Sequence, residues 1–199
     1  MGDGFIRRGH MTETDGQTYI RFLNENDQDA LRIIFEKYRN GVTLFLLGIV
    51  QNEDDAEELM MDTFAILASR TVRYKVKEDA SFKTWLYAIA KNQARTFLRK
   101  KRNHFTEPDD DIETIKADDS SLPDSILLEN ERNAMLYKAL FNIDESYRQV
   151  LYLMYFEELK PEQISRVIKK STKQTYNLTT RGRAALRKEM ERMGYSWVI

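Results

Sequence analysis

The segment at residues 81–102, SFKTWLYAIAKNQARTFLRKKR, restricts what this chain can fold into more than any other. It contains no Pro or Gly, and apolar residues such as Leu86, Ile89 and Phe97 recur at roughly helical spacing. Seven Lys or Arg, no acid and four aromatic residues share the segment. One face of such a helix can pack on a core while the other offers cations to phosphates and rings to unpaired bases. A core helix with a solvated basic face is the simpler alternative.

Charged residues alternate in blocks, although the net charge of the 199-residue chain is only −1. Residues 52–62 carry six acids and no base, and residues 103–131 carry ten acids against Lys116. Residues 160–192 carry ten bases against three acids. Blocks of this size predict two basic surfaces separated by an acidic connector.

Several classes of function are not expected from the composition. The chain has no Cys, which suits a reducing cytoplasm, and its longest apolar stretch, residues 42–50, is too short to span a bilayer. The two His residues belong to no ligand-like cluster, so we expect neither a metal site nor a cofactor. Residues 1–18 are expected to be a tail without a signal peptide, in which residues 9–11 (GHM) resemble a vector remnant.

The predicted fold is all-α, with two small helical domains joined by an acidic flexible linker. The first domain covers residues 19–102, with helices expected at 27–51, 53–70 and 81–102. Asn52 is a suitable N-cap for the second of these helices, and Ser81 for the third. Residues 103–124 are acidic, contain two of the three Pro residues and predict the linker. The second domain covers residues 125–199.

The second domain is predicted to contain a helix-turn-helix. Pro161 stands where the first residue of a short helix is expected, and Ser171 is a good N-cap for a long basic helix ending near Met193. Thr175, Thr179 and Gly182 lie on one side of that helix and allow a close approach to its partner helix. A plain helical hairpin with a solvated basic face is the alternative for this segment alone.

Both halves resemble one family, the extracytoplasmic-function (ECF) type sigma factors of bacterial RNA polymerase. The resemblance covers roughly residues 20–193. It is carried by AEELMMDTF at 56–64, FKTWLYAIAKNQARTFLRKKR at 82–102, YRQVLYLMYFEELKPEQISRVI at 147–168 and STKQTYNLTTRGRAALR at 171–187. The family implies a transcription initiation factor, without catalysis of its own, that binds core RNA polymerase in the cytoplasm. It also implies promoter DNA and an anti-sigma factor as partners, and no small-molecule substrate.

The resemblance also implies three sets of site residues. The surface that binds RNA polymerase comprises Glu57, Glu58, Met61 and Asp62. The residues that recognise and open the −10 element are Arg73, Tyr74, Lys83, Trp85, Asn92, Arg95, Arg99 and Lys100. The residues of the long basic helix and its cap that read the −35 element in the major groove are Ser171, Lys173, Gln174, Tyr176, Asn177, Thr180 and Arg181.

The chain departs from the usual pattern of the family at several positions. Met61 stands where Gln is usual, Thr96 where Asp is usual, and Gly182 where Ala is usual. Lys169 occupies the position of a Gly in the turn of the helix-turn-helix. Because a Lys in a left-handed conformation is strained, we expect this turn to differ in detail.

Two other classes of function are weaker interpretations. A stand-alone helix-turn-helix regulator, typically a symmetric dimer, accounts for residues 123–193 but leaves the first domain without a role. An enzyme is disfavoured because the sequence contains no Gly-rich phosphate loop, no pairing of a nucleophile with His and no metal cluster.

Overall fold

A computed structural model describes residues 13–74, 81–104 and 131–195, and over these residues the chain is entirely helical. The helices are α1 (Asp15–Glu25), α2 (Gln28–Val50), α3 (Glu53–Ser69), α4 (Phe82–His104), α5 (Glu131–Phe141), α6 (Glu145–Tyr155), α7 (Pro161–Ile168) and α8 (Thr172–Arg192). The all-α prediction is confirmed. Most of the predicted linker, residues 105–124, lies outside the described residues.

The helix boundaries predicted from capping residues agree closely with the structure. The side chain of Asn52 accepts a hydrogen bond of 2.8 Å from the Asp55 amide and begins α3. Ser81 accepts a hydrogen bond from the Thr84 amide at the start of α4, and Ser171 forms a capping box with Gln174 at the start of α8. Helix α4 extends two residues beyond the predicted end at residue 102.

Helix α1 was not predicted, and the expected boundary of the tail at residue 18 falls inside it. The helix begins with a capping box between Thr14 and Gln17, in which each side chain bonds the backbone of the other residue. Tyr19 and Phe22 lie buried in the apolar core. Because the start of the chain is basic and Gly-rich, all of residues 1–18 were predicted to be a tail. The capping residues Thr14 and Gln17 within that range were therefore not recognised.

The helix-turn-helix of the second half consists of α7 and α8, as the sequence predicts. Pro161 is the first residue of α7, and the small residues Thr175, Thr179 and Gly182 of α8 are buried. The expectation that the turn would differ was wrong. Lys169 ends α7 in the left-handed conformation, with φ 55° and ψ 46°, so it keeps the backbone that Gly normally supplies.

The two halves of the molecule pack directly on each other and share one apolar core. Helix α4 lies against α7, and α2 lies against α6. Side chains of the first half, such as Phe45 and Tyr87, belong to the same buried cluster as Tyr137, Tyr152 and others of the second half. The sequence predicted two domains without this contact, and we call their packing the closed arrangement.

Polar contacts to backbone carbonyls also join the two halves. The Tyr137 hydroxyl donates to the Leu44 carbonyl at 2.7 Å, and the Tyr152 hydroxyl donates to the Gly41 carbonyl at 2.9 Å. The buried guanidinium of Arg148 donates to the Gly48 carbonyl at 2.9 Å. It also donates to carbonyls of Leu140, Phe141 and Ile143 within its own half. Because a buried donor or acceptor without a partner is costly, these bonds favour one geometry of docking.

No helix within the described ranges combines the length and the apolar character needed to cross a lipid bilayer.

Candidate nucleic-acid interface and partner surface

The predicted polymerase-binding residues form one exposed face of α3. Glu57, Glu58, Met61 and Asp62 are all exposed, and the Met61 side chain is 55% exposed. The opposite side of the helix, which includes Ala56, Leu59 and Met60, is buried in the core. The exposed face of α3 therefore combines three carboxylates with one exposed apolar side chain.

The C-terminal half of α4 presents the predicted basic residues on its outer surface. Asn92, Arg95, Arg99 and Lys100 are exposed, while Ala90 and Ala94 between them pack into the core. Asn92, Arg95 and Arg99 border one cavity of about 620 Å³, together with Thr96, Leu98, Arg102 and Lys169. Lys100 does not line this cavity.

The predicted −10 residues nearer the start of α4 have a different environment. Trp85 and Tyr74 are half-buried, with ring centres 5.0 Å apart, and the Trp85 ring lies 5.4 Å from that of Tyr19. Arg73 is exposed beside them. At about 1.5 Å of rise per residue, Lys83 and Arg99 are roughly 24 Å apart along the helix, so the structure does not gather the predicted −10 residues into one pocket.

Lys83 is engaged with the second half of the molecule. Its Nζ lies 3.2 Å from the Glu157 carboxylate and donates to the Glu157 carbonyl at 3.1 Å. The Glu157 side chain is only 10% exposed, and the Tyr152 hydroxyl contacts it as well. In the closed arrangement, therefore, this predicted DNA-binding cation is already paired.

The predicted −35 residues lie on the exposed side of α8 and its cap. Lys173, Tyr176, Asn177, Thr180 and Arg181 are all exposed. Ser171 and Gln174 are exposed too, but their side chains form the capping box that begins the helix. Tyr176 donates a hydrogen bond of 3.0 Å to Glu162 of α7, and this bond raises the pKa of the Tyr176 phenol.

Sequence reasoning missed three cations that the structure places beside the predicted ones. Arg102 and Lys169 line the cavity with Arg95 and Arg99, whereas Lys91 lines an adjoining cavity and donates to Gln149 at 2.6 Å. The pKa of the Lys91 ammonium is lowered to about 8, chiefly by burial; Glu145 opposes this shift, and the cations Arg95, Lys170 and Lys169 add to it. The spacing of Arg95, Arg99 and Arg102 on one helical face was a usable signal for Arg102. For Lys169, the sequence indicated only a phosphate contact or a solvated side chain, not a place beside α4.

No group of three or more His, Asp or Glu residues in the described part of the chain is arranged to hold a metal ion.

Comparison with known proteins finds a family profile for part of the first half and relatives over most of the chain. The sequence profile of sigma-70 region 2 matches residues 34–104, the segment that contains the acidic face of α3 and the basic face of α4. The ECF RNA polymerase sigma factor SigW of Bacillus subtilis is 26% identical over 184 residues, which cover 86% of this chain and 94% of SigW. Residues 34–104 thus match sigma-70 region 2, and most of the chain is similar to an ECF sigma factor.

Further similarities are to other sigma factors. The RNA polymerase sigma-H factor of Pseudomonas aeruginosa is 24% identical over 91% of this chain and 96% of its own length. The fold is similar to that of CnrH in complex with the cytosolic domain of CnrY, with a TM-score of 0.58, 18% identity and coverage of 90% of this chain and 99% of CnrH. It is also similar to that of the sigma factor RpoE of Bartonella quintana in complex with the anti-sigma factor NepR, with a TM-score of 0.58, 16% identity and coverage of 80% and 96%.

Proposed function

We propose that this chain is an ECF sigma factor, which binds core RNA polymerase through the exposed face of α3 and directs the enzyme to promoters. The observation that carries the proposal is the pair of faces within the region 2 segment, one acidic on α3 and one basic on α4. Glu57, Glu58 and Asp62 supply the charge of the binding surface, and Met61 supplies an apolar contact at its centre. An apolar centre within a polar rim is the usual anatomy of a protein interface.

The basic face of α4 is proposed to hold the −10 element while its strands separate. Arg95, Arg99 and Lys100 are exposed cations that can neutralise phosphates. Strand opening removes a base from its stack at a cost of a few kcal/mol per base, and flat rings offset that cost by stacking. Trp85 and Tyr74 are the aromatic residues at the other end of the helix, and Arg73 lies beside them.

Helix α8 is proposed to read the −35 element in the major groove. Its exposed side presents Asn177 and Arg181, whose side chains are suited to bidentate contacts with adenine and guanine. Lys173, Tyr176 and Thr180 flank them on the same surface. Ser171 and Gln174 form the capping box that begins α8, and a helix N-terminus is a favourable place for a DNA phosphate.

The proposed role requires no catalysis by this chain, and it places the protein in the cytoplasm, where RNA polymerase acts. An anti-sigma factor is proposed as a further partner, since the fold is shared with a sigma factor solved in complex with one.

Run-off transcription with cognate core polymerase on a genomic promoter library tests the proposal. Discrete transcripts that depend on this protein are expected, and their aligned upstream sequences would give both promoter elements. Absence of transcripts together with absence of binding to core polymerase would contradict the proposed function.

Charge reversal separates the two proposed faces of the first half. The double variant Arg95→Glu/Arg99→Glu is expected to abolish permanganate-reactive thymines in the −10 region while core polymerase still binds. The matched variant Glu57→Lys/Glu58→Lys is expected to lose polymerase binding instead. If the arginine variant loses polymerase binding, the assignment of the two faces is wrong.

A further inference from the structure

Cations from both halves of the molecule surround the cavity of about 620 Å³ beside α4. Arg95, Arg99 and Arg102 come from the first half, and Lys169 comes from the turn of the helix-turn-helix. None of these four side chains forms an ion pair with another residue of the ranges 13–74, 81–104 and 131–195. Among the described residues, the cavity is therefore lined by four positive charges and no negative one.

A second cavity of about 370 Å³ adjoins the first and shares Arg95, Leu98 and Lys169 with it. Its lining adds Lys91 and Lys170 and the apolar residues Ile49, Ile168 and Leu178. Glu145 is the single acid among the described residues that line it. The two cavities together thus offer a cationic chamber beside a partly apolar one.

The closed arrangement brings these like charges together at an energetic cost. The pKa of the Lys91 ammonium, about 8, reflects burial first, but Arg95, Lys170 and Lys169 lower it as well. Mutual repulsion of this kind is relieved when an anion enters between the charges. An anion bound there would also contact both halves at once.

We propose that this cationic cavity binds a nucleoside polyphosphate, whose phosphate chain lies among Arg95, Arg99, Arg102 and Lys169 and whose base enters the adjoining apolar chamber.

The dimensions and the chemistry of the cavities favour this class of ligand. The larger cavity falls within the range of about 300–1,000 Å³ typical of small-molecule sites, so it exceeds what a single phosphate fills. Arginine side chains bind phosphate oxygens in bidentate fashion and also stack on planar rings. A ligand held by α4 and by Lys169 together stabilises the closed arrangement by mass action, because it binds the open form less tightly.

Because Arg95 and Arg99 are also proposed to hold promoter phosphates, the ligand would compete with DNA for the same side chains. The site itself does not depend on that role. Loss of polymerase binding in transcription tests would leave the ligand proposal intact. Absence of ligand binding would likewise leave the proposed transcription function intact.

Isothermal titration calorimetry of the full chain with ATP tests the proposal. One molecule of ATP is expected to bind per chain, and AMP at least about tenfold more weakly, because it carries a single phosphate. Lys169→Gly is expected to weaken ATP binding by about tenfold, since it removes one charge-assisted contact. This variant relieves the left-handed backbone strain at residue 169, so weaker binding cannot be attributed to misfolding.

Lys188→Gln is the matched control, since Lys188 is an exposed cation of α8 that lines neither cavity. Its affinity for ATP should equal that of the parent chain. Absence of 1:1 ATP binding, or equal affinities for ATP and AMP, would overturn the proposal. If a 12-nucleotide oligo(dT) binds and depends on Lys169 while ATP does not bind, the cavity belongs to nucleic acid instead.

Discussion

At the scale of single residues, Lys169 combines an unfavourable backbone conformation with a position close to other cations. Its φ of 55° is a left-handed value that L-residues with long side chains seldom adopt. The cost of such a conformation is about 1 kcal/mol or more. The same turn places the ammonium group beside Arg95 and Arg99 across the cavity, where Gly would leave a gap.

Replacing Lys169 by Gly is expected to stabilise the folded protein. Relief of backbone strain outweighs the extra conformational entropy of Gly in the unfolded chain. The free energy of unfolding should therefore rise by about 0.5–1 kcal/mol. For a chain of this length, that gain corresponds to a rise in melting temperature of roughly 1–3 °C. Differential scanning calorimetry without ligand gives the measurement.

Lys170→Gly serves as the control, because Lys170 has the same charge but is not among the residues with positive φ. It should lower the melting temperature or leave it unchanged. A fall in melting temperature for Lys169→Gly would show that the side chain contributes more than its backbone conformation costs.

At the scale of elements, α6 and α8 pack so closely that one position of the interface has no room for a side chain. A Cβ atom at Gly182 would lie 3.2 Å from Cβ of Tyr147 and 3.3 Å from the Leu151 side chain. Thr179 and Thr175, one and two turns earlier, are buried as well. This line of small residues fixes the angle at which α8 presents its outer face.

Gly182→Leu is therefore expected to disturb the packing of α8 on α6. Overpacking of a close helix pair costs about 1–3 kcal/mol, which urea denaturation would measure as a lower midpoint at an unchanged slope. Gly182→Ala is the graded comparison. Its gain in helix propensity of about 1 kcal/mol opposes the tight contacts of the new Cβ, so its stability should stay within about 1 kcal/mol of the parent. Equal stability of all three proteins would contradict the packing argument.

At the scale of the whole molecule, the closed arrangement occupies groups that are proposed to act on DNA. Lys83 is paired with Glu157, and the aromatic surface of the first half packs near this contact. Gly41 of α2 is the point of closest approach, because a Cβ atom there would lie 2.5 Å from the Glu157 carboxylate and 2.6 Å from the Tyr87 hydroxyl. The proposed contact of Lys83 with DNA requires its ion pair with Glu157 to break.

Gly41→Ala is expected to shift the population away from the closed arrangement. The added methyl group displaces Glu157 and, with it, the ion pair to Lys83, while the charge of the protein is unchanged. Small-angle X-ray scattering should give a larger radius of gyration for this variant. Asn40→Ala, at the exposed neighbouring position of α2, should leave it unaltered. An unchanged radius for Gly41→Ala would mean that the second half accommodates the methyl group without moving.

The sequence was sufficient to predict most of the helices but not the contact between the two halves of the molecule. Local signals such as Asn52, Pro161 and Ser171 lie within a few residues of the helix ends that they define, so they can be recognised in isolation. The Arg148–Gly48 and Tyr152–Gly41 bonds join residues about a hundred positions apart, and neither partner carries a pattern that selects the other. The cavity could not be predicted for the same reason, because Lys169 lines it only when the second half packs against α4.

The hydrogen bonds of Arg148 have a consequence for how fast the halves can part and rejoin. Three of its acceptors, on Leu140, Phe141 and Ile143, belong to the same half as Arg148, and Gly48 alone belongs to the other. Separation thus breaks one of four bonds and leaves the guanidinium held in place, with a donor directed at solvent. The second half keeps a ready-made docking group, so rejoining needs no rearrangement of that side chain. Opening and closing can then proceed as rigid-body motion, on a timescale of microseconds to milliseconds rather than that of refolding.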